Sequence, residues 1–365
     1  MKNLFLDLQC GTYVDGYIWG FSKSDNELYK INVKSGEVSY ITSFEKMSER
    51  ERLFNNIMNY NGTLVLIPGN SPYIVTYRIL DGQIQYYDYP EKDAEYILYQ
   101  SFWKYVNVEL YEDKLYLFSQ KKNYMICIHM DNMEISCCSD YLESYKVRYG
   151  KNDIQFANSE CRIGEWVYLT CSSQNIVLKF NLKTLEHEWL DINLKEEKGF
   201  KYIANHKEKI YLLSNNDKVY QWDGASNEAF ELVNYEGLCG FLAPYETGVL
   251  LVPQDRNVFI NYNEQYGEKR CCYSQEFRFN PTHLEQTVTH VAGIKNGENY
   301  YITPRCSNML LGFDYTSEKL FEIKLKANEA TEKYFCEKFK QGKELKEDGV
   351  YTLNHLFRCI GIEPR

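Results

Sequence analysis

This sequence has 365 residues, of which 44% are hydrophobic and 16% aromatic, and it carries a formal net charge of −10. A chain of this length can bury roughly three quarters of the surface that it exposes when unfolded, enough for one large domain or two ordinary ones. Its 33 tyrosines favour β-strands over helices, because wide side chains pack well on a pleated sheet. The acidic balance repels phosphate backbones and anionic lipid headgroups, so we expect neither nucleic acids nor membranes as partners.

The N-terminal segment MKNLFLDLQC has one Lys and a short apolar run interrupted by Asp7, unlike a secretory signal peptide. No stretch of the sequence approaches the roughly 18 apolar residues that a helix needs to cross a bilayer. The twelve cysteines include no C-x-x-C pair, and we expect them to be free thiols that pack in the interior. These observations predict a soluble, cytoplasmic protein.

Seven short apolar runs recur along the chain, and each follows a pair of residues that is typical of a tight turn. A strand that is apolar at consecutive positions must be buried on both of its faces. The runs are YIWGFS (17–22), TLVLIP (63–68), KLYLFS (114–119), WVYLTC (166–171), KIYLLS (209–214), GVLLVP (248–253) and NYYITP (299–304). The turn pairs are Asp15-Gly16, Asn61-Gly62, Glu112-Asp113, Gly164-Glu165, Lys207-Glu208, Thr247-Gly248 and Asn296-Gly297.

A quartet of alternating apolar and polar residues follows each run, as in YKIN from Tyr29 and LKFN from Leu178. The quartets begin 40 to 52 residues apart. Each unit therefore reads as a four-stranded antiparallel meander, whose strands we call A to D in chain order. A period of 40 to 50 residues built from short strands is typical of propeller blades.

The sequence thus predicts an all-β fold, a seven-bladed β-propeller of four-stranded antiparallel blades with a short α-helical C-terminal tail. Packing blades face to face around an axis buries both faces of each B strand and hides most sheet edges. We expect residues 1–325 to form the propeller and residues 326–365 to form a helical extension packed on it. The predicted blades are 1–44, 45–90, 91–142, 143–194, 195–235, 236–280 and 281–325.

The stretch NELYKINVKSGEVSY (26–40) resembles the blade repeat of quinoprotein-like propellers, in which a Ser-Gly turn joins two strands and the second strand ends near an aromatic residue. The chain departs from that pattern because the closing aromatic is a Trp only at Trp189. The double glycines of Kelch-like blades are absent, and the Trp222-Asp223 pair occurs once. The resemblance therefore extends to the β-propeller superfamily over residues 1–325 and identifies no subfamily.

The sequence changes in character after Leu325. Residues 327–349 are highly charged, with Ala330, Tyr334 and Phe335 at helical spacing. Beyond them, Thr352 can cap a short helix whose apolar residues Leu353, Leu356, Phe357 and Ile360 share one face. The tail is interpreted either as a strap packed on the blades or as a docking helix, residues 352–360, for a partner.

In an A-B-C-D meander the B-C turns and D-A links emerge on one face of the propeller. The long links 87–104, 139–157 and 274–288 are on that face, and long irregular loops on a rigid scaffold are common binding sites. Lysine and arginine residues there predict a locally positive mouth, which suits an anionic ligand or a glycan stacked on Trp103. The alternative is a set of solvated loop ends with no common ligand. The candidate ligand-binding residues are Asp7, Trp103, Lys104, Lys201, Arg256, His290 and Arg305.

Catalytic motifs are missing from the sequence. It contains no phosphate-binding glycine loop, no G-x-S-x-G nucleophile elbow and no His spacing typical of a metal site, so we expect no metal and no cofactor. Asp7 and Glu160 are the only acidic residues of A strands that we expect to reach the channel. The favoured hypothesis is a non-catalytic module that binds a protein, peptide or glycan. The alternative is a lyase, hydrolase or lactonase that acts on a carbohydrate or a small anionic metabolite.

Overall fold

The computed structural model describes residues 6, 8–22, 26–44, 53–69, 71–88, 105–119, 125–138, 140–151, 154–194, 198–254, 258–272, 290–304 and 308–340. These residues form seven sheets, each with four antiparallel strands that are consecutive in the chain, and a short fifth strand is added to the first sheet. The fold class predicted from the sequence, a seven-bladed β-propeller, is confirmed. The chain divides into two compact units, with residues 1–71, 76–84 and 271–365 in unit 1 and residues 72–75 and 85–270 in unit 2.

Unit 1 contains the first blade, most of the second and all of the seventh. Blade 1 consists of β1 (Leu8–Val14), β2 (Tyr17–Ser22), β3 (Glu27–Asn32) and β4 (Glu37–Ser43). Blade 2 consists of β5 (Phe54–Tyr60), β6 (Thr63–Pro68), β7 (Tyr73–Arg78) and β8 (Ile84–Asp88). Blade 7 consists of β25 (His290–Asn296), β26 (Asn299–Pro304), β27 (Met309–Asp314) and β28 (Lys319–Lys324).

Unit 2 contains the third to fifth blades and nearly all of the sixth. Blade 3 consists of β9 (Tyr105–Tyr111), β10 (Lys114–Ser119), β11 (Met125–His129) and β12 (Glu134–Cys138). Helix α1 (Asp140–Tyr149) leads to blade 4, which consists of β13 (Phe156–Ile163), β14 (Trp166–Cys171), β15 (Ile176–Asn181) and β16 (His187–Asp191). Blades 5 and 6 consist of β17 (Phe200–His206), β18 (Lys209–Ser214), β19 (Lys218–Trp222), β20 (Phe230–Asn234), β21 (Cys239–Tyr245), β22 (Gly248–Pro253), β23 (Val258–Asn263) and β24 (Gly267–Cys272).

The seven apolar runs are the second strands of the seven sheets, with the bounds that the sequence predicts. In β6, for example, Leu64, Val65, Leu66 and Ile67 are all fully buried, although they point alternately to opposite faces. Each second strand is covered by its neighbours in the sheet and by side chains packed on both faces. In unit 2, one such layer joins blades 4 and 5 through residues that include Tyr168, Ile203 and Trp222.

Five of the seven predicted A-B turns are confirmed and two are displaced by one residue. Asp15-Gly16 and Asn61-Gly62 have positive φ at both positions, as a two-residue hairpin requires. Gly248 instead pairs with Tyr245 as the first residue of β22. A Cβ at Gly248 would lie 2.0 Å from the carbonyl oxygen of Tyr262, so this glycine permits a close approach of two strands. In blade 7 the turn is Gly297-Glu298, because Asn296 pairs with Asn299.

The link 139–157 contains a helix that the sequence analysis did not predict. Helix α1 begins at Asp140, ends at Tyr149 and packs its Tyr141 and Tyr145 against the outer strand of blade 4. The indole of Trp189 lies 4.8 Å from the ring of Tyr145 and donates a hydrogen bond to the carbonyl oxygen of Tyr141. The predicted closing aromatic of blade 4 is therefore the residue on which this helix docks.

The described part of the C-terminal extension packs on blade 1. Strand β29 (Lys326–Ala327) pairs in parallel with β4 and makes blade 1 five-stranded, and helix α2 (Glu329–Lys340) follows it. Tyr334 of α2 stacks on Tyr40 of β4 with ring centroids 3.7 Å apart. Its hydroxyl donates a 2.6 Å hydrogen bond to Glu27, which is fully buried. The predicted helix at 352–360 lies outside the described residues.

Candidate functional site

The first strands of blades 3, 4 and 5 lie side by side in unit 2, with β13 between β9 and β17. Successive side chains of a strand point to opposite faces, so alternate residues of β9 face β13. On that face Glu109 of β9 meets Glu160 and Arg162, which lie on one face of β13. We call Glu109, Glu160 and Arg162 the carboxyl cluster.

An ion pair joins two members of the carboxyl cluster. Nε of Arg162 lies 3.2 Å from Oε2 of Glu109, and Nη1 donates a 3.0 Å hydrogen bond to the carbonyl oxygen of Gly164. The guanidinium carbon also lies 5.9 Å from the centre of the Tyr111 ring. The side chains of Glu109 and Arg162 are 17% and 39% exposed, so solvent reaches this pair.

Both carboxyl groups of the cluster have raised pKa values. Burial raises the pKa of Glu109 to about 7, and the attraction of Arg162 offsets only part of that effect. Burial, and then the negative charge of Glu109, raises the pKa of Glu160 well above its usual range, although the backbone N–H of Val108 donates to its carboxylate. The pKa of the buried Cys161 thiol is raised for the same reasons. At neutral pH Glu109 is therefore partly protonated, and the raised pKa of Glu160 also favours its protonated form, so the pair can both donate and accept hydrogen bonds.

Asparagine and serine side chains fix the strands on which the cluster lies. Nδ2 of Asn107 donates a 2.9 Å hydrogen bond to the carbonyl oxygen of Ser159, the residue before Glu160. Oγ of Ser159 accepts a 2.7 Å hydrogen bond from the backbone N–H of Ile203 on β17. Asn107 is fully buried on the same face of β9 as Glu109, and its Oδ1 accepts no hydrogen bond from any residue that the structure describes. Hydrogen bonds therefore join β9 to β13, and β13 to β17, directly beside the carboxyl cluster.

Lys201 is the only predicted ligand-binding residue whose side chain the structure describes. It occupies a bulge at the start of β17, between residues that pair with Ser214 and Leu213. Its Nζ lies 2.8 Å from Oδ1 of Asp217, and the same oxygen accepts a 2.8 Å hydrogen bond from the backbone N–H of Cys239. Asp217 therefore balances the charge of Lys201 and ties blade 5 to blade 6.

The other predicted ligand-binding residues are not brought together in the described part of the chain. His290 begins β25, where only its backbone is described. The positions that lie outside the described residues are Asp7, Trp103, Lys104, Arg256 and Arg305.

Sequence reasoning identified one member of the carboxyl cluster and missed two. Glu160 was expected to reach the channel, whereas Glu109 and Arg162 were not singled out. The available signal was their position, because each interrupts a first strand whose other residues are largely apolar or small, in YVNVELY (105–111) and FANSECRI (156–163). A charged residue inside a buried strand requires a partner, and here the partner lies on the neighbouring sheet.

The cluster offers acid–base and hydrogen-bonding chemistry and does not form a metal site. In the part of the chain that the structure describes, no three His, Cys, Asp or Glu side chains are placed to hold a metal ion. Among the same residues, no helix has the length and apolar character needed to cross a membrane. The nine cysteines described are all free thiols.

No family model matches the chain, and no curated protein matches it in sequence. Solved structures match it in fold. Virginiamycin B lyase from Staphylococcus aureus, solved as a catalytically inactive variant with quinupristin, is 10% identical with a TM-score of 0.61, over 89% of this chain and 96% of the lyase. A chain of the mitotic checkpoint complex is 10% identical with a TM-score of 0.55, over 89% of this chain and 88% of that one.

The type-IX secretion component PorZ from Porphyromonas gingivalis, described as an essential bacterial surface component, is 10% identical with a TM-score of 0.57. The match covers 89% of this chain but 39% of PorZ, so this chain spans about two fifths of that protein. At such low identity these likenesses show the fold alone. They agree with the seven sheets described above. The chain is a β-propeller of seven blades whose subfamily is not identified.

Proposed function

We propose that this chain is a non-catalytic recognition module, a propeller that binds a protein, peptide or glycan. The observation that carries this proposal is the carboxyl cluster, in which Glu109, Glu160 and Arg162 lie together on two neighbouring strands and solvent reaches Glu109 and Arg162. Polar groups held on rigid strands recognise a ligand with little loss of conformational entropy. The D-A and B-C loops, with Trp103, Lys104, Arg256 and Arg305, are proposed as a second contact, and the 352–360 segment as a third.

Binding is favoured over catalysis because hydrogen bonds within the fold hold the charged groups in fixed positions. Arg162 is occupied by Glu109 and by Gly164, and the carboxylate of Glu160 accepts from the backbone of Val108. Lys201 is likewise paired with Asp217. A nucleophile or general base must instead be able to reach the reacting atom of a substrate. The proteins of similar fold include a surface component and a member of a checkpoint complex, which agrees with a recognition role.

The enzyme alternative is supported by one specific observation. A carboxyl group with a pKa of about 7, beside a second carboxyl group, has the acid strength that general acid–base catalysis at neutral pH requires. A lyase, hydrolase or lactonase could use Glu109 and Glu160 in that way. The likeness in fold to virginiamycin B lyase, solved with quinupristin, makes quinupristin the first substrate to test.

A pair of measurements separates these two functions. Native mass spectrometry of the full chain, purified from its own source, should show a retained ligand or partner that is lost from the Glu109→Gln variant but kept by a Glu143→Gln control. Glu143 is an exposed residue of α1 and lies outside the cluster. Incubation with quinupristin should leave the compound at its original mass. Turnover that Glu109→Gln abolishes would reject the recognition module in favour of the enzyme.

A further inference from the structure

Three oxygen-bearing side chains line the same space between β9 and β13. Asn107 and Glu109 are two residues apart on the face of β9 that packs against β13, and Glu160 is on the facing side of β13. Asn107 is fully buried, and because its Nδ2 bonds to the carbonyl oxygen of Ser159, its side chain reaches toward β13 at the level of Glu160. Its Oδ1 remains available as an acceptor, since no described residue donates to it.

We propose that Asn107, Glu109 and Glu160 bind a primary ammonium group, the end of an aliphatic amine or of a lysine side chain. This inference rests on the proposed recognition function and specifies the chemistry of its ligand. An ammonium group carries three N–H donors and one positive charge. One donor goes to Oδ1 of Asn107 and one to a carboxylate oxygen of each glutamate, so the number of donors equals the number of acceptor groups.

The charge of the cluster also fits a monovalent cation. With both carboxyl groups ionised, two negative charges face the single positive charge of Arg162, and one negative charge remains unbalanced in a mostly buried site. Burying an unpaired charge is costly, and a bound ammonium group would complete the neutralisation. Arg162 cannot do so alone, because its guanidinium is shared between Glu109 and the carbonyl oxygen of Gly164.

Protons compete with the amine for this site. Without a bound amine the protonated forms of the carboxyl groups are favoured, since the pKa of Glu109 is raised to about 7 and that of Glu160 is also raised. Besides Arg162, the titratable groups nearest to the two carboxyl groups are Cys161 and Tyr111, and their thiol and phenol pKa values are raised, so both stay neutral in this range. Amine binding therefore releases a proton from each carboxyl group that is not yet ionised, and each released proton raises the affinity by up to about tenfold per pH unit below pH 7.

The test is isothermal titration calorimetry of the full chain at pH 6.0 and pH 8.0. Cadaverine represents a free amine, and the tripeptide acetyl-Gly-Lys-Gly-amide represents a lysine side chain in a protein. The same peptide with an acetylated lysine has lost the charge and two of the three donors. We expect one or both amines to bind at least tenfold more tightly at pH 8.0, with proton release seen in buffers of different ionisation enthalpy. We expect no binding of the acetylated peptide.

Variants connect this binding to the cluster. Glu109→Gln and Glu160→Gln should each weaken amine binding at pH 8.0 at least tenfold, and the exposed-site control Glu143→Gln should leave it unchanged. Arg162→Met removes the competing cation and should increase the affinity, a change that a folding defect could not produce. Amine binding that is independent of pH, or equal in Glu109→Gln and the parent, would overturn the assignment, as would the lack of any binding at millimolar amine.

Failure of this assignment is distinguishable from failure of the recognition function. A retained ligand without an amine, bound equally by the parent and by Glu160→Gln, would refute the ammonium site and leave the chain a binding module. Turnover of quinupristin would refute the module whether or not amines bind.

Discussion

Replacing Glu109 by Gln should change how the stability of this protein depends on pH. The pKa of Glu109 rises from 4.5 in a solvated chain to about 7 in the fold. The folded state therefore binds a proton more tightly than the unfolded state does, and the free energy of unfolding decreases as the pH rises from about 4.5 to about 7. Gln cannot ionise, so this decrease disappears in the Glu109→Gln variant.

The size of the effect follows from the pKa difference. Each pKa unit corresponds to about 1.4 kcal/mol, so the shift of Glu109 amounts to about 3 kcal/mol as an upper value. The side chain is 17% exposed, and most of that value should survive screening by solvent. Glu160 adds to the decrease in the parent, and its contribution shrinks in the variant because the neighbouring negative charge is gone.

Urea unfolding followed by tryptophan fluorescence at pH 5.0, 6.0, 7.0 and 8.0 measures this difference. At pH 5.0 the parent and Glu109→Gln should be nearly equally stable, because a protonated carboxyl group and an amide are similar in shape and polarity. At pH 8.0 the variant should be the more stable by about 2 to 3 kcal/mol. The Glu143→Gln control should follow the parent throughout. Parallel curves for Glu109→Gln and the parent would show that Glu109 is not buried beside Glu160.

Three further substitutions test the fold, each by a thermal melt. Gly62→Val should cost about 1 to 2 kcal/mol, because φ is +78° there and a branched residue is strained in that region; an unchanged melt would contradict the assigned turn. Tyr334→Phe should cost about 1 to 3 kcal/mol, because it removes a donor to the buried Glu27; Tyr13→Phe, at a stacked ring in the same unit, is its control. Lys201→Met should cost about 1 to 2 kcal/mol by leaving Asp217 without its cation, whereas Lys183→Met, at an exposed pair, should cost less than about 0.5 kcal/mol; equal losses would show that the Lys201 pair is not buried.

The strand pattern was predictable because its signals are local. A strand that is second in its sheet is covered on both faces wherever the sheet packs, so each second strand appears as a continuous apolar run such as TLVLIP (63–68). The hairpin before it requires positive φ, and Asn61-Gly62 provides it. The two displaced turns show the limit of this reasoning. Gly248 was interpreted as a turn residue, but it is a strand residue whose missing Cβ accommodates the backbone of Tyr262.

Helix α1 was missed for a related reason. Its sequence DYLESYKVRY has only a weak apolar face, and a helix of ten residues is marginal on its own. Its stability comes from packing, since Tyr141, Leu142 and Tyr145 are buried against the outer strand of blade 4. The signal for that packing was Trp189, which was treated as the end of a blade. Tyr40 occupies the equivalent position in blade 1. It pairs with Tyr29, the first residue of its quartet, just as Trp189 pairs with Leu178. Helix α2 packs on Tyr40 as α1 packs on Trp189. In both blades the aromatic residue at this position of the outer strand is the one that contacts the helix.

The carboxyl cluster could not be derived from the sequence because it depends on the stagger between two sheets. Within a sheet, hairpin turns set the register, and Glu109 pairs with Tyr116 as the A-B turn dictates. Nothing in the hairpins determines how far β9 slides along β13, and a slide by the length of one residue would separate Glu109 from Glu160 and Arg162. Two hydrogen bonds between the sheets fix the position of β9 along β13. Asn107 donates one to Ser159, and the backbone N–H of Val108 donates the other to Glu160. The residues that fix the position of β9 along β13 are thus neighbours of the charged residues that come together there. Substitution of Asn107 should therefore change the pKa of Glu109, although Glu109 itself is unaltered. A pH-dependent unfolding curve of Asn107→Ala that keeps the full decrease of the parent would show that other contacts hold the two strands in register.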